Sequence, residues 1–241
     1  MKGGDRNTNF FHTVATERKK MNKIKRLKKD DGGVVEEQEA MKEVASNYFS
    51  NLFSSTFSGT RMEELLNNVD ARVTEPMNDV LCKQFCSEEV VDAPQSIGDL
   101  KAPGPDGMHA IFYKKFWEVV GTKVTEEVLD VLNGGPMPAE WNDTCVVLIP
   151  KVNNPECMKD LRPISLCNVV YKLISKVLAN RLKNILPEII SPNQSAFVPR
   201  RLITDNILLA YECTHFMKSR RRGKEGYAPI KLVMSKAYDR V

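Results

Sequence analysis

The sequence predicts a helix-rich α/β protein, and three observations support that fold class. Apolar residues recur at the spacing of an amphipathic helix over residues 35–53 and again over 169–186. A β-branched, apolar run at 144–149 and a second short run at 161–166 predict two strands that form a hairpin. The chain contains no apolar run of roughly 18 residues, the length of a membrane-spanning helix, so no membrane partner is expected.

Charge is segregated along the chain. Residues 1–29 carry ten Lys and Arg against two acids, and residues 162–241 carry fifteen against five, whereas residues 30–161 are net acidic by fourteen charges. Such basic ends favour a polyanionic partner over the alternative, a merely soluble surface. The six cysteines lack the spacing of a disulfide framework, which indicates reduced thiols and an intracellular protein.

A basic run over residues 18–29 contains eight cations and no acid. One interpretation is a solvated helix or a mobile tail. The other, which we favour, is an arm that binds phosphates without reading sequence. The cations assigned to nucleic acid are Arg18, Lys19, Lys20, Lys23, Lys25 and Arg26.

The region before the hairpin is predicted to be mostly helical, because its apolar residues follow a helical period between segments rich in turn residues. The predicted elements are a helix over 35–53, a polar linker over 54–78, a helix from Ser87 to Pro94, a rigid turn over 101–107 and a helix over 110–132.

The hairpin carries Lys151 and Arg162 near its tip. Cations in such a position can neutralise the oxygens of a triphosphate, and an arginine can bind phosphate through two bonds. The alternative is that both are ordinary solvated charges. Further predicted elements are a helix over 169–186 with Lys172, Lys176 and Lys183 on one face, a helix over 205–218 capped by Thr204, and a strand over 229–234.

Five short motifs stand in a fixed order at residues 101–107 (KAPGPDG), 148–151 (LIPK), 162–166 (RPISL), 203–207 (ITDNI) and 235–239 (SKAYD). Together they resemble the reverse transcriptases of non-LTR (LINE-type) retrotransposons, particularly those of plants. The resemblance implies a basic, helical connector over residues 1–79. Residues 80–241 are then expected to form part of a right-hand polymerase, namely the fingers and the first palm strand.

The same resemblance implies roles for individual residues. In that family the hairpin supplies one Lys and one Arg to the incoming nucleotide, which fits Lys151 and Arg162. Tyr238 matches the aromatic residue that screens the nucleotide 2′ position. Gln194, Phe197 and Arg201 match a block that contacts the template strand or orders the fingers. The partners expected from the resemblance are an RNA template and a DNA primer, and the expected location is nuclear.

The first metal-binding position departs from the family. There the residue after Leu232 is an aspartate that binds magnesium, whereas this chain has Val233, whose side chain offers no oxygen. The family's remaining carboxylates come from a later Asp-Asp hairpin that these 241 residues do not contain. We therefore expect no polymerase activity from the chain alone. The alternatives are a non-catalytic nucleic-acid-binding protein derived from a retroelement, or an unstable relic.

Overall fold

The structure is a computed structural model that describes residues 9–54, 67, 70–219 and 226–232. Its contacts divide these residues into two compact units, the first formed by 9–54 with 145–166 and the second by 70–144 with 167–232. The predicted division into a connector, 1–79, and a partial polymerase domain, 80–241, rests on resemblance to a family. The contacts do not test it, so it stays a prediction.

The first unit contains two helices and two small sheets. Strands β1 and β2 pair antiparallel, with Leu27 opposite Val35, and β3 pairs with β4 to form the predicted hairpin. The bounds are α1 Asn9–Met21, β1 Leu27–Lys28, β2 Val34–Val35, α2 Gln38–Phe53, β3 Thr144–Pro150 and β4 Leu161–Cys167.

The core of the first unit forms where α2 meets β1 and the loop between β3 and β4. Leu27, Met158 and Leu161 are buried there. The α2 residues that pack against them are Met41, Val44, Ala45, Tyr48 and Phe49. Their spacing is that of one helix face, which confirms the amphipathic helix predicted for this segment.

The second unit is helical, with α8 at its centre. The buried residues Leu173 and Val177 of α8 pack with Val90 of α4 and Val128 of α6. The bounds are α3 Glu75–Cys82, α4 Ser87–Asp92, α5 Ala110–Lys115, α6 Trp117–Leu132, α7 Ala139–Asn142, α8 Val169–Ile189 and α9 Ile203–Ser219. The molecule is thus a mixed, helix-rich α/β protein with small sheets, as predicted.

Three predicted elements need correction. The helix over 110–132 is two helices, because Phe116 leaves the helical region with φ −110° and ψ 22°. This break allows Tyr113 of α5 and Val128 of α6 to be buried in the same core. Helix α9 begins at Ile203, so Thr204 lies inside its first turn and does not precede it as a cap.

The third correction concerns the strand predicted over 229–234. Residues 229–232 are irregular, and Ile230 and Leu232 are 83% and 90% exposed. A strand needs a neighbour to accept and donate its backbone hydrogen bonds, and these residues pair with none of the described strands. Residues 233 and 234 lie outside the described part of the chain.

The predicted end of the helix before Pro94 is confirmed. Helix α4 begins at Ser87 and ends at Asp92, and Pro94 follows in a short 3₁₀ turn, Ala93–Ser96, because proline cannot continue the hydrogen-bond ladder. All six cysteines are free thiols. Most of the predicted linker over 54–78 lies outside the described residues, although α3 begins within it, at Glu75.

Candidate nucleic-acid interface

The hairpin of the first unit brings Lys151 and Arg162 to the same end, because Lys151 directly follows β3 and Arg162 is the second residue of β4. The backbone N–H of Lys151 donates to the Asp160 carbonyl at 2.7 Å, and Arg162 follows Asp160 by two residues, about 7 Å along the strand. The Lys151 ammonium donates to the Lys159 carbonyl at 2.8 Å. Arg162 is exposed, and its side chain forms no hydrogen bond or ion pair within the described residues.

The loop of this hairpin binds part of the basic run. Glu156 forms ion pairs with Arg26 and with Lys28, the latter at 2.7 Å, and its carbonyl accepts the Lys28 N–H at 2.7 Å. The Lys28 hydrogen bond, followed by that of Arg26, lowers the pKa of the Glu156 carboxyl. Arg26 was predicted to bind nucleic acid, and the structure gives its guanidinium an acidic partner 130 residues away.

The remaining predicted cations of the run are mostly unpaired. Lys20 donates to Glu17 at 3.0 Å across one exposed helical turn. Arg18 and Lys19 lie in the last turn of α1, and Lys23 and Lys25 follow it. None of these four has an acidic partner among the described residues. Their charge is therefore available to a ligand.

Arg201, in the second unit, serves the chain's own backbone. Its guanidinium donates to the carbonyls of Ser191 and Gln194 at 2.5 and 2.7 Å, and to those of Pro187 and Ile190 at 3.0 and 3.2 Å. These acceptors are the last carbonyls of α8 and the turn that follows it, which lack partners within the helix. Arg201 therefore closes the end of α8.

The segment between that turn and Arg201 presents an aromatic side chain. Phe197 is 79% exposed and has φ 63°, while its neighbours Ser195 and Val198 are buried. The Gln194 side chain accepts the Ala196 N–H at 3.3 Å. Phe197 is exposed enough to meet a base, whereas Gln194 also supports the local turn.

We expect Arg201→Ala to lower the free energy of unfolding by about 2 kcal/mol, because four carbonyls would lose a charged donor. Urea unfolding measures the change. Gln194→Ala is the control: its side chain forms one exposed hydrogen bond, so its effect should stay within about 0.5 kcal/mol. Unchanged stability in Arg201→Ala would contradict the assignment of Arg201 to the end of α8.

The turn over 101–107 is held by Asn168, the residue before α8. The Asn168 side-chain oxygen accepts the Asp106 N–H at 3.2 Å, and its amide donates to the Glu140 carbonyl at 2.7 Å. The Lys172 ammonium donates to the Ala102 carbonyl at 2.9 Å. Sequence reasoning missed Asn168; the available signal was an Asn immediately before a helix, although here its side chain caps the turn rather than the helix.

Helix α8 also carries the predicted lysine face. Burial, and then the nearby charge of Lys183, lowers the pKa of the Lys176 ammonium. The Lys172 ammonium is bound to the Ala102 carbonyl of the turn, so this lysine has a partner that Lys176 and Lys183 do not share. Lys183 lies close enough to Lys176 to act on its charge, as the helical spacing of seven residues predicted.

The position of the family's first metal ligand lies outside the described residues, as does Tyr238. Within the described ranges, no three His, Cys, Asp or Glu side chains are grouped so that they could hold a metal ion. A valine at position 233 does not fit magnesium, which takes oxygen ligands. Across the same ranges, no helix is long and apolar enough to cross a membrane.

Comparison with known proteins shows which family and which proteins this chain is similar to. The family described as reverse transcriptase (RNA-dependent DNA polymerase) matches residues 149–241. The "Transposon TX1 uncharacterized 149 kDa protein" of Xenopus laevis is 32% identical over 238 residues, which cover 98% of this chain and 18% of that protein.

A second relative is the "Retrovirus-related Pol polyprotein from type-1 retrotransposable element R2" of Popillia japonica. It is 26% identical over 143 residues, 58% of this chain and 18% of the relative. The matched part is thus about a fifth of each relative's length, and a particular kinship with plant elements stays a prediction. The chain carries reverse transcriptase sequence of the non-LTR retrotransposon type.

Proposed function

We propose that the chain binds an RNA template and a DNA primer as part of a non-LTR retrotransposon reverse transcriptase. The observation that carries this proposal is the difference in pairing within the basic run. Arg26 and Lys28 are bound to Glu156, whereas Arg18, Lys19, Lys23 and Lys25 have no acidic partner in the described ranges.

This arrangement suits phosphate binding for two reasons. The ion pairs with Glu156 fix the segment beside the unpaired lysines, so less conformational entropy is lost when a ligand binds. Unpaired cations that meet phosphates release the counterions condensed on the nucleic acid, which supplies affinity without sequence preference.

Neutralising three of these cations should weaken RNA binding and its salt dependence. For Lys19→Gln, Lys23→Gln and Lys25→Gln combined, we expect the slope of log K against log salt to become shallower by about 2, since each phosphate contact to a single strand contributes about 0.7. Fluorescence anisotropy with a labelled single-stranded RNA over a salt series measures the slope.

The matched control carries the same Lys→Gln change at three exposed lysines of the second unit, Lys83, Lys115 and Lys123. Its net charge changes equally, so it should keep the slope of the parent chain. Equal slopes for the two triple variants would show that the basic run is not the binding surface.

The hairpin is proposed to meet the triphosphate of the incoming nucleotide. Arg162 is exposed and unpaired among the described residues, and Lys151 would exchange the Lys159 carbonyl for a phosphate oxygen. Gln194 and Phe197 are proposed template contacts, while Tyr238 is proposed to screen the 2′ position. Assignment of these segments to fingers and palm, and the nuclear location, are part of the same proposal.

The chain is further proposed not to polymerise by itself. When bound, magnesium ions in this family activate the primer hydroxyl and stabilise the leaving pyrophosphate. The Val233 side chain offers neither ion an oxygen. A non-catalytic nucleic-acid-binding protein is the second candidate, and the unpaired cations favour it equally. The candidates differ in whether the hairpin cations meet a nucleotide.

A further inference from the structure

A groove of about 1030 Å³ opens on the first unit, between α2, the segment that follows α1, and β3. The apolar part of its lining includes Ile24, Met41, Ala45, Phe49, Phe53 and Leu148. Phe53 is 64% exposed. A groove of this size can accept more than one planar group, since pockets for small molecules span about 300–1,000 Å³.

Aromatic rings lie along one wall. Phe49 and Phe53 stack with ring centroids 5.8 Å apart and planes 20° from parallel. Phe53 is at the end of α2, so its exposed ring can continue the stack with a further flat group. Nucleobases stack on such rings whatever their identity.

The rim is basic and hydrogen-bonding. Lys23 and Lys25 line it without acidic partners among the described residues, and Lys42 pairs with Glu39 at 2.7 Å. Glu36 is the acidic residue of the described lining. Polar side chains that can meet base edges are Asn22, Gln38, Ser46 and Ser50. Cations beside an aromatic, apolar groove complement a ligand with phosphates outside and flat bases inside.

We propose that this groove takes the unpaired bases of a single-stranded nucleic acid, which stack on Phe53 while Lys23 and Lys25 contact the flanking phosphates. The inference rests on the proposed binding of nucleic acid by the basic run and adds a base-binding subsite to it. A duplex is excluded, because its bases are already stacked and paired.

The test uses the full chain and two labelled probes of about 12 nucleotides, oligouridylate and an abasic strand with the same number of phosphates. Oligouridylate is expected to bind about tenfold more tightly. Phe53→Ala should remove most of that preference and leave abasic binding unchanged, since each stacked base contributes such a factor. Phe10→Ala is the matched control, because Phe10 is 65% exposed and does not line the groove.

The outcomes separate the two proposals. Equal affinity for both probes, or an unaltered preference in Phe53→Ala, overturns the base-binding groove while leaving phosphate binding intact. If the unsubstituted chain binds neither probe, the proposed function itself is refuted. Displacement of the abasic strand by an acidic amphipathic peptide in a manner dependent on Phe53 would overturn the inference in favour of a protein partner.

Discussion

Replacing Arg181 by methionine should lower the free energy of unfolding by about 3–5 kcal/mol. The Arg181 side chain is 9% exposed and binds both oxygens of Glu89, at 2.6 and 2.7 Å. It also donates to the carbonyls of Leu81 and Gln84, at 3.0 and 2.9 Å, and to that of Lys83. Its guanidinium lies over the Phe85 ring, 3.5 Å from the centroid.

The large effect follows from what the substitution leaves behind. Methionine fills similar space, but Glu89 keeps a charge without its main donor, and three carbonyls lose theirs. Urea unfolding measures the loss. Lys123→Met is the matched control, because Lys123 is 82% exposed, and it should change stability by less than about 0.5 kcal/mol. Adding Glu89→Gln to Arg181→Met should recover part of the loss.

The same ion pair predicts a pH dependence. Hydrogen bonds from Arg181 are the largest cause that lowers the pKa of Glu89 from 4.5 to about 2. Because the folded-state pKa is depressed, the contribution is fully present above pH 4.5 and is lost as the pH falls toward 2. Arg181→Met should flatten the stability profile in this window. If the parent chain and Arg181→Met lose the same stability as the pH falls from 4.5 toward 2, Arg181 is not what lowers the pKa of Glu89.

The second large effect is expected from Gly104→Ala, which should lower the free energy of unfolding by about 3 kcal/mol. A Cβ at Gly104 would collide with the side-chain oxygen and the backbone nitrogen of Asn168, and it would lie 2.6 Å from the Cys167 carbonyl carbon. Two of these three are backbone atoms immediately before α8, so they cannot move aside without moving the start of the helix. Thermal unfolding measures the change.

Gly107→Ala is the control within the same turn. Gly107 has φ +70°, and a Cβ there would meet nothing within 4 Å. Its cost is therefore backbone strain alone, about 1 kcal/mol. If Gly104→Ala and Gly107→Ala lower the free energy of unfolding equally, the contact between the turn and the start of α8 does not hold the turn in place.

Local patterns predicted the elements whose partners are close in sequence or whose buried face repeats regularly. Helices α2 and α8 each bury one periodic stripe, and the β3–β4 hairpin joins two strands that are consecutive in this part of the sequence. The break between α5 and α6 at Phe116 was not predicted, because the helical spacing of apolar residues continues across it. The strand over 229–234 was inferred from composition, which does not reveal whether a neighbouring strand exists.

The candidate site was less predictable, because its side chains are bound by residues far away in the chain. Glu156 pairs with Arg26 across 130 residues, and Asn168 holds Asp106 across 62. A run of cations looks uniform in the sequence, although Arg26 and Lys28 are bound to Glu156 while Lys23 and Lys25 have no acidic partner among the described residues. Similarly, the resemblance implied that Arg201 contacts the template or orders the fingers, while its four hydrogen bonds to carbonyls follow from the conformation of the turn after α8.

Primer extension tests the central claim most directly. Purified chain and its Val233→Asp variant are incubated with a primed RNA template, deoxynucleotides and magnesium, and an active reverse transcriptase verifies the template. We predict no extended product from either protein, because Val233 is not a ligand and a single restored carboxylate does not complete a two-metal site. Extension of the primer by the chain as it stands, with Val233, would contradict this account.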